Sequence, residues 1–152
     1  MEDYKRRIVI ASGVFDLVHY GHVRFLEEAK KAGGKNAKFI VIVASDKTVL
    51  KMKKRKPVMP EDHRRAVIEA LKPVDEAVLG FEDLSFKETI KSIKPNVIAI
   101  GYDQKKIGKE VKKAVQDMRA DIQIVHIGRF GSLDLDSSSK IRRKILKLAQ
   151  GK

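Results

Sequence analysis

His19 and His22 stand three positions apart around Tyr20-Gly21, soon after an apolar run, Ile8-Val9-Ile10-Ala11-Ser12, that ends at Gly13. The turn Val14-Phe15-Asp16-Leu17-Val18 leads from that glycine into what reads as a helix beginning near Tyr20. Free backbone N–H groups and the positive end of the helix dipole gather at such a start. Side chains three apart share one helix face. Two imidazoles, a helix N-terminus and a glycine that lets a ligand approach the backbone make a volume suited to a phosphate chain. His19 and His22 can both face one ligand there, and a joint catalytic role is expected of them. A metal site is the poorer reading, because no third ligand clusters with the histidines and no H-E-x-x-H spacing occurs. His63, in a helix's first turn beside Arg64, and His126, in an apolar strand, read as ordinary structural or surface histidines.

The elements that must hold these residues alternate in type. Strands are predicted over 7–11, 39–44, 74–79, 97–100 and 122–127. Helices are predicted over 20–32, from 60 to about 71, over 85–93 and 108–119, and at the C-terminal end. Gly33-Gly34 closes the first helix, Ser45-Asp46 caps a short helical turn, and Pro60-Glu61-Asp62 is a helix start signal. Five short strands separated by helices indicate an α/β, Rossmann-like, doubly wound parallel sheet. Right-handed crossovers favour the order 3-2-1-4-5. The chain then reverses direction between the first and fourth strands. The turn from Gly13 to His22 and the segment Gly101-Tyr102-Asp103-Gln104 meet at that switch point, where such sheets bind ligands. Asp103 is expected to contact a ribose or base there. Ser137, Ser138 and Ser139 precede a terminal helix with Ile141, Ile145 and Leu148 on one face. One serine suffices as its cap. Three hydroxyls followed by Lys140 suggest a second phosphate cradle across the crevice.

Composition narrows the classes. A chain of 152 residues is expected to form one domain spanning 1–152. It is 43% hydrophobic with 6% aromatics and no Trp, and its Ile- and Val-rich runs fit buried parallel strands. Absence of cysteine excludes disulfides, thiolate nucleophiles and Cys-ligated zinc. The apolar run 39–44 is too short to span a bilayer, and Glu2-Asp3 is not a signal-peptide opening, so a cytoplasmic protein is expected, with no membrane partner. The net charge of +13 is compatible with nucleic-acid binding, polyanionic substrates or a lysine-rich surface. The basic run 51–57 reads as a loop, and a second cluster lies at Arg142-Arg143-Lys144. Neither carries interleaved aromatics for stacking, so no nucleic-acid partner is expected.

The run Gly13-Val14-Phe15-Asp16, followed by His19-Tyr20-Gly21-His22, resembles the G-x-F-D turn and H-x-G-H helix start of the cytidylyltransferase-like nucleotidyltransferases. The resemblance covers nearly the whole chain. It implies that all eight of these residues contact the nucleotide. Glu61-Asp62-His63-Arg64-Arg65 resembles the family's E-x-R-R helix start, so Arg64 either contacts the nucleotide or organises the loop before it. Basic residues between the second strand and that helix approach the phosphates in the family, which points to Lys51 and Lys54. Asp136-Ser137-Ser138-Ser139-Lys140-Ile141 resembles the I-S-T-T-K-I end of glycerol-3-phosphate cytidylyltransferases. Where those enzymes carry R-T-x-G, this chain has Arg129-Phe130-Gly131-Ser132, and Arg129 and Phe130 join the expected contacts. Val14 also replaces the family's common threonine.

The segment 69–80, with Asp103-Gln104 downstream, is closer to the archaeal FMN adenylyltransferases (FAD synthases). That likeness implies ATP as donor, FMN as acceptor, and FAD and pyrophosphate as products. The alternative is cytidylyl transfer from CTP to glycerol 3-phosphate or a related small phosphate. A phosphate monoester has its second pKa near about 6 and is largely dianionic at neutral pH, so it needs no general base. The reaction needs alignment and charge stabilisation. A divalent cation, Mg²⁺ in expectation, would arrive with the nucleotide, since no acidic cluster is evident. Related enzymes are commonly dimers, which leaves a homodimer open. A basic binding module with a decayed site is the competing class. The intact histidines and switch-point segments speak against it.

Overall fold

The computed structural model describes residues 5–82, 85–132 and 135–151. The chain runs β1 (Ile8–Gly13), α1 (Tyr20–Ala32), β2 (Lys38–Val43), α2 (Asp46–Lys53), α3 (Glu61–Glu69), β3 (Glu76–Leu79), α4 (Phe86–Ile93), β4 (Val97–Gly101), α5 (Lys105–Asp117), β5 (Gln123–Ile127) and α6 (Ser138–Gln150). The strands form one parallel sheet in the order β3-β2-β1-β4-β5, as expected from the sequence.

Successive strand residues point to opposite faces, and here the two faces differ in kind. Val9, Ala11, Phe39, Val41 and Val43 pack against Leu26 and Ala29 of α1 and Ile68 of α3. Ile10, Ile40, Ile42, Ile98 and Ile100 pack against Ile90 of α4 and Val111 and Ala114 of α5. The central strands are buried on both sides, which is why they read as continuous apolar runs. No helix among the described residues is long and apolar enough to cross a membrane.

Three local expectations change. The run 51–57 is not all loop, because α2 continues to Lys53 and ends at Lys54 in the left-handed conformation. β3 begins at Glu76, two residues later than expected. α5 begins at Lys105 rather than at Gly108, which lies inside the helix. A Cβ at Gly108 would come within 3.3 Å of Ile100, so that glycine lets α5 lie close on the sheet instead of marking its start.

Candidate active site

α1 opens with a histidine as its N-cap. His19 Nδ1 accepts a hydrogen bond from the Gly21 N–H at 3.1 Å, and His22 Nδ1 accepts from the His19 N–H at 3.3 Å, a reciprocal capping box. A ring nitrogen that accepts carries no proton, so these bonds place the neutral rings' protons on Nε2. The imidazoles stack with centroids 3.8 Å apart, and Phe15 meets His22 edge-on at 5.3 Å. Burial, then the neighbouring His19 and Lys53, pushes the His22 pKa down to about 3. Burial also lowers His19, opposed by the carboxylates of Asp136 and Asp103. Both rings are therefore neutral near pH 7, each with one N–H to donate. His19 Nε2 is buried and has no partner among the described residues. An unpaired buried donor costs about 1–3 kcal/mol, so this atom is poised for a ligand oxygen.

The turn preceding the histidines is a strained and tightly held structure. Phe15 lies at φ 53°, in the left-handed region that bulky residues avoid. Asp16 fixes the turn from the other side: its carboxylate accepts from the Val58 and Met59 N–H groups, both at 2.8 Å. Asp16 borders the cavity, but both its oxygens tie down the segment after α2. Gly13 is needed for the same turn, since a Cβ there would come within 2.8 Å of the buried Phe15 ring. That clash, rather than nucleotide approach alone, explains the glycine.

Of the two roles expected of Arg64, its bonds match the organising one, an internal brace, and it does not line the cavity. Its side chain has no exposed surface. Nε donates to the Met59 carbonyl, Nη1 to those of Val14 and Ala44, and Nη2 to Asp46, all within 2.9 Å. One guanidinium thus joins the β1–α1 turn, the end of β2, the start of α2 and the loop before α3. The rigid fork of five donors makes this possible. Glu61 adds to the same junction by accepting from the Asp46 N–H at 2.5 Å.

A cavity of about 420 Å³ lies over the carboxyl ends of β1 and β4. Of the expected residues it brings together Gly13, Val14, Phe15, Asp16, His19, Gly21, His22, Asp103, Phe130 and the three serines. Tyr20, Lys51, Lys54, Arg64 and Arg129 do not line it. Tyr20 is 65% exposed. Lys51 is exposed on α2 and Lys54 is its C-cap, whereas Lys53 lines the cavity. Val49 is buried, and residues three and four positions on share its helix face, which selects Met52 and Lys53 over Lys51. Burial lowers the Lys53 pKa, with Arg55 adding to the effect and Asp16 and Asp103 opposing it. Arg129 instead pairs with the buried Asp136 at 3.0 Å and lies over the Tyr102 ring, 4.9 Å from its centroid.

Across the crevice, Ser137 caps α6 by accepting from the Lys140 N–H at 3.2 Å. Ser138 donates to the Leu17 carbonyl at 3.1 Å, which holds α6 against the β1–α1 turn. Asp136 accepts from Lys140 Nζ at 2.7 Å, and that bond above all holds its carboxyl below the usual range. Gln104, absent from the expected set, clips the switch point. Its Oε1 accepts from the Gly101 N–H and its Nε2 donates to the Ser12 carbonyl, each at 2.8 Å. Gln104 was placed at the switch point and within the Asp103-Gln104 likeness but given no role of its own, whereas Lys53 is marked by its position four after Val49.

The family model described as cytidylyltransferase-like matches residues 10–144. A protein named FAD synthase from Methanopyrus kandleri is 43% identical over 140 residues, covering 92% of each chain. Another of that name, from Methanothermus fervidus, is 47% identical over 136 residues, covering 90% of this chain and 92% of its own. Among solved structures, the lipopolysaccharide core biosynthesis protein of Thermoplasma volcanium superposes with a TM-score of 0.69 at 34% identity. The match covers 82% of this chain and 98% of that one.

Proposed function

This chain belongs to the cytidylyltransferase-like family, and we propose that it makes FAD, transferring AMP from ATP to FMN with release of pyrophosphate. The relatives named FAD synthase support the substrates. The observation that carries the reaction type is the stacked pair of neutral histidines at the α1 N-terminus, facing a second helix N-terminus at α6. We read residues 1–152 as one catalytic domain working in the cytoplasm.

The FMN phosphate attacks the α-phosphorus of ATP. One P–O bond forms as the bond to the departing pyrophosphate breaks, and no proton must first be removed from the dianionic nucleophile. His19 and His22 donate their Nε2–H groups to oxygens around the α-phosphorus as charge shifts onto the leaving group. The α6 N-terminus and Ser139 hold the β- and γ-phosphates. Lys53 supplies the cation that was expected from Lys51 or Lys54. No group of three His, Cys, Asp or Glu able to hold a metal occurs among the described residues. The donor set therefore suits Mg²⁺ entering as the ATP complex, bound mainly through phosphates and water.

The test is a matrix of ATP and CTP against FMN and glycerol 3-phosphate, scored by pyrophosphate release. Turnover is expected with ATP and FMN. Efficient cytidylyl transfer without FAD formation would replace this reading with the CTP-dependent one.

Two variants examine the phosphate contacts. Lys53→Ala raises the ATP KM by roughly ten- to a hundredfold, the range of one charge-assisted bond, while Lys51→Ala stays within about twofold. Equal effects would dismiss the assignment of α2's inner face. Ser139→Ala raises the ATP KM with little change in melting temperature. Ser138→Ala removes the bond to Leu17 and costs about 1 kcal/mol of stability. An unaltered ATP KM in both variants would reduce the serines to a helix cap.

A further inference from the structure

The phosphate-binding parts of the cavity leave one end unexplained. In an in-line displacement the attacking and leaving oxygens lie on opposite sides of the phosphorus. With the pyrophosphate over α6, the acceptor phosphate enters from the side away from α6, and the rest of the acceptor extends toward the ends of β2 and β3. The cavity continues there, and its character changes. Ile42 reaches it from β2, Ile107 from α5, Met52 from α2, and Phe81 follows β3. Phe81 and Met52 are 52% and 45% exposed at the cavity wall. Neither is buried in the core, and exposed apolar groups gathered at a cleft mark ligand surface. Gly80 lines this end and packs close on Ile42, since a Cβ there would come within 3.1 Å of Ile42 Cγ2. Lys106 and Glu110, four apart on α5, line the same cavity and supply a donor and an acceptor.

We infer that this end of the cavity is the flavin-ring subsite, with Phe81 and Met52 as its stacking surface. The inference rests on the FMN reading above. A flat tricycle with an apolar dimethylbenzene edge matches the aromatic ring and the adaptable thioether. Its other edge carries two carbonyls and an N–H, the groups that Lys106 and Glu110 pair with. A polyol phosphate presents no surface for Phe81 to cover.

Wild-type turnover of ATP with FMN is measured first, followed by steady-state kinetics and quenching of FMN fluorescence on binding. Phe81→Ala and Met52→Ala are each expected to raise the FMN KM and Kd about tenfold, the scale of one lost stacking contact, with the ATP KM within about twofold. Phe81→Trp restores tight FMN binding. Leu148→Ala, an exposed apolar control on α6 outside the cavity, leaves both substrates unaffected. FAD formation by the wild type with an unchanged FMN KM in both alanine variants would overturn the subsite alone. A raised ATP KM with unchanged FMN binding would likewise overturn it and assign this end to adenine. Absence of FAD formation by the wild type would overturn the functional reading, and the flavin assignment with it.

Discussion

Replacing His22 with alanine is expected to lower kcat by about two to three orders of magnitude, with KM values for ATP and FMN changing far less. The magnitude is that of one preorganised donor lost from a charge-stabilising site, about 3–4 kcal/mol. The same substitution removes a capping acceptor, because His22 Nδ1 receives the His19 N–H. That loss costs about 1 kcal/mol and a few degrees of melting temperature. His22→Gln separates the two effects: a glutamine at this position can restore the cap and hence the melting temperature, but not the rate. Near-normal turnover in a folded alanine variant would remove His22 from the mechanism.

The same histidine makes the fold sensitive to acid. Its pKa is about 3 in the folded state and near 6.5 when unfolded, so the unfolded chain binds the extra proton first. Its contribution is fully present above about pH 6.5 and is lost as the pH falls toward 3. Thermal melts between pH 7 and pH 4 are expected to decline more steeply for the wild type than for His22→Gln. Parallel curves would show that His22 titrates in the folded protein as it does in the unfolded one.

The sheet order and the histidine pair were legible in the sequence because each rests on local pattern. Continuous Val and Ile runs require strands buried on both faces, and right-handed crossovers then leave few orders open. His19 and His22 declare themselves by their spacing at a helix start. Which lysine of this run lines the cavity was hidden for an equally physical reason. Five basic residues from Lys51 to Lys56 resemble a solvated loop, and the helical phase that turns Lys53 toward the cavity is carried by Val49 and Met52. Asp16 shows a different limit. Its carboxylate bonds to Val58 and Met59, more than forty positions away, and no local pattern announces such a pairing.

Family resemblance left Arg64 two roles, and its replacement separates a phosphate contact from a brace. Arg64→Met keeps much of the volume but leaves the carbonyls of Val14, Ala44 and Met59 without their guanidinium donors. Each buried acceptor left unpaired costs about 1–3 kcal/mol, and removing one partner from a buried charged network typically costs 3–5 kcal/mol in all. The Asp46 carboxylate adds little to that loss, because its side chain is 41% exposed and water can replace the guanidinium. At about 2–4 °C per kcal/mol for a chain of this size, the melting temperature should fall by roughly 10 °C or more. Arg64→Lys recovers only part of this, since one ammonium cannot bridge acceptors on four segments. Turnover should fall with stability, because the Val14 carbonyl belongs to the turn that sets His19 and His22 in place. A phosphate contact predicts the reverse pattern, a raised ATP KM with an unchanged melting temperature. Thermal melts of the two variants beside their ATP KM values decide between them, and a stable Arg64→Met protein with impaired ATP binding would return Arg64 to the nucleotide site.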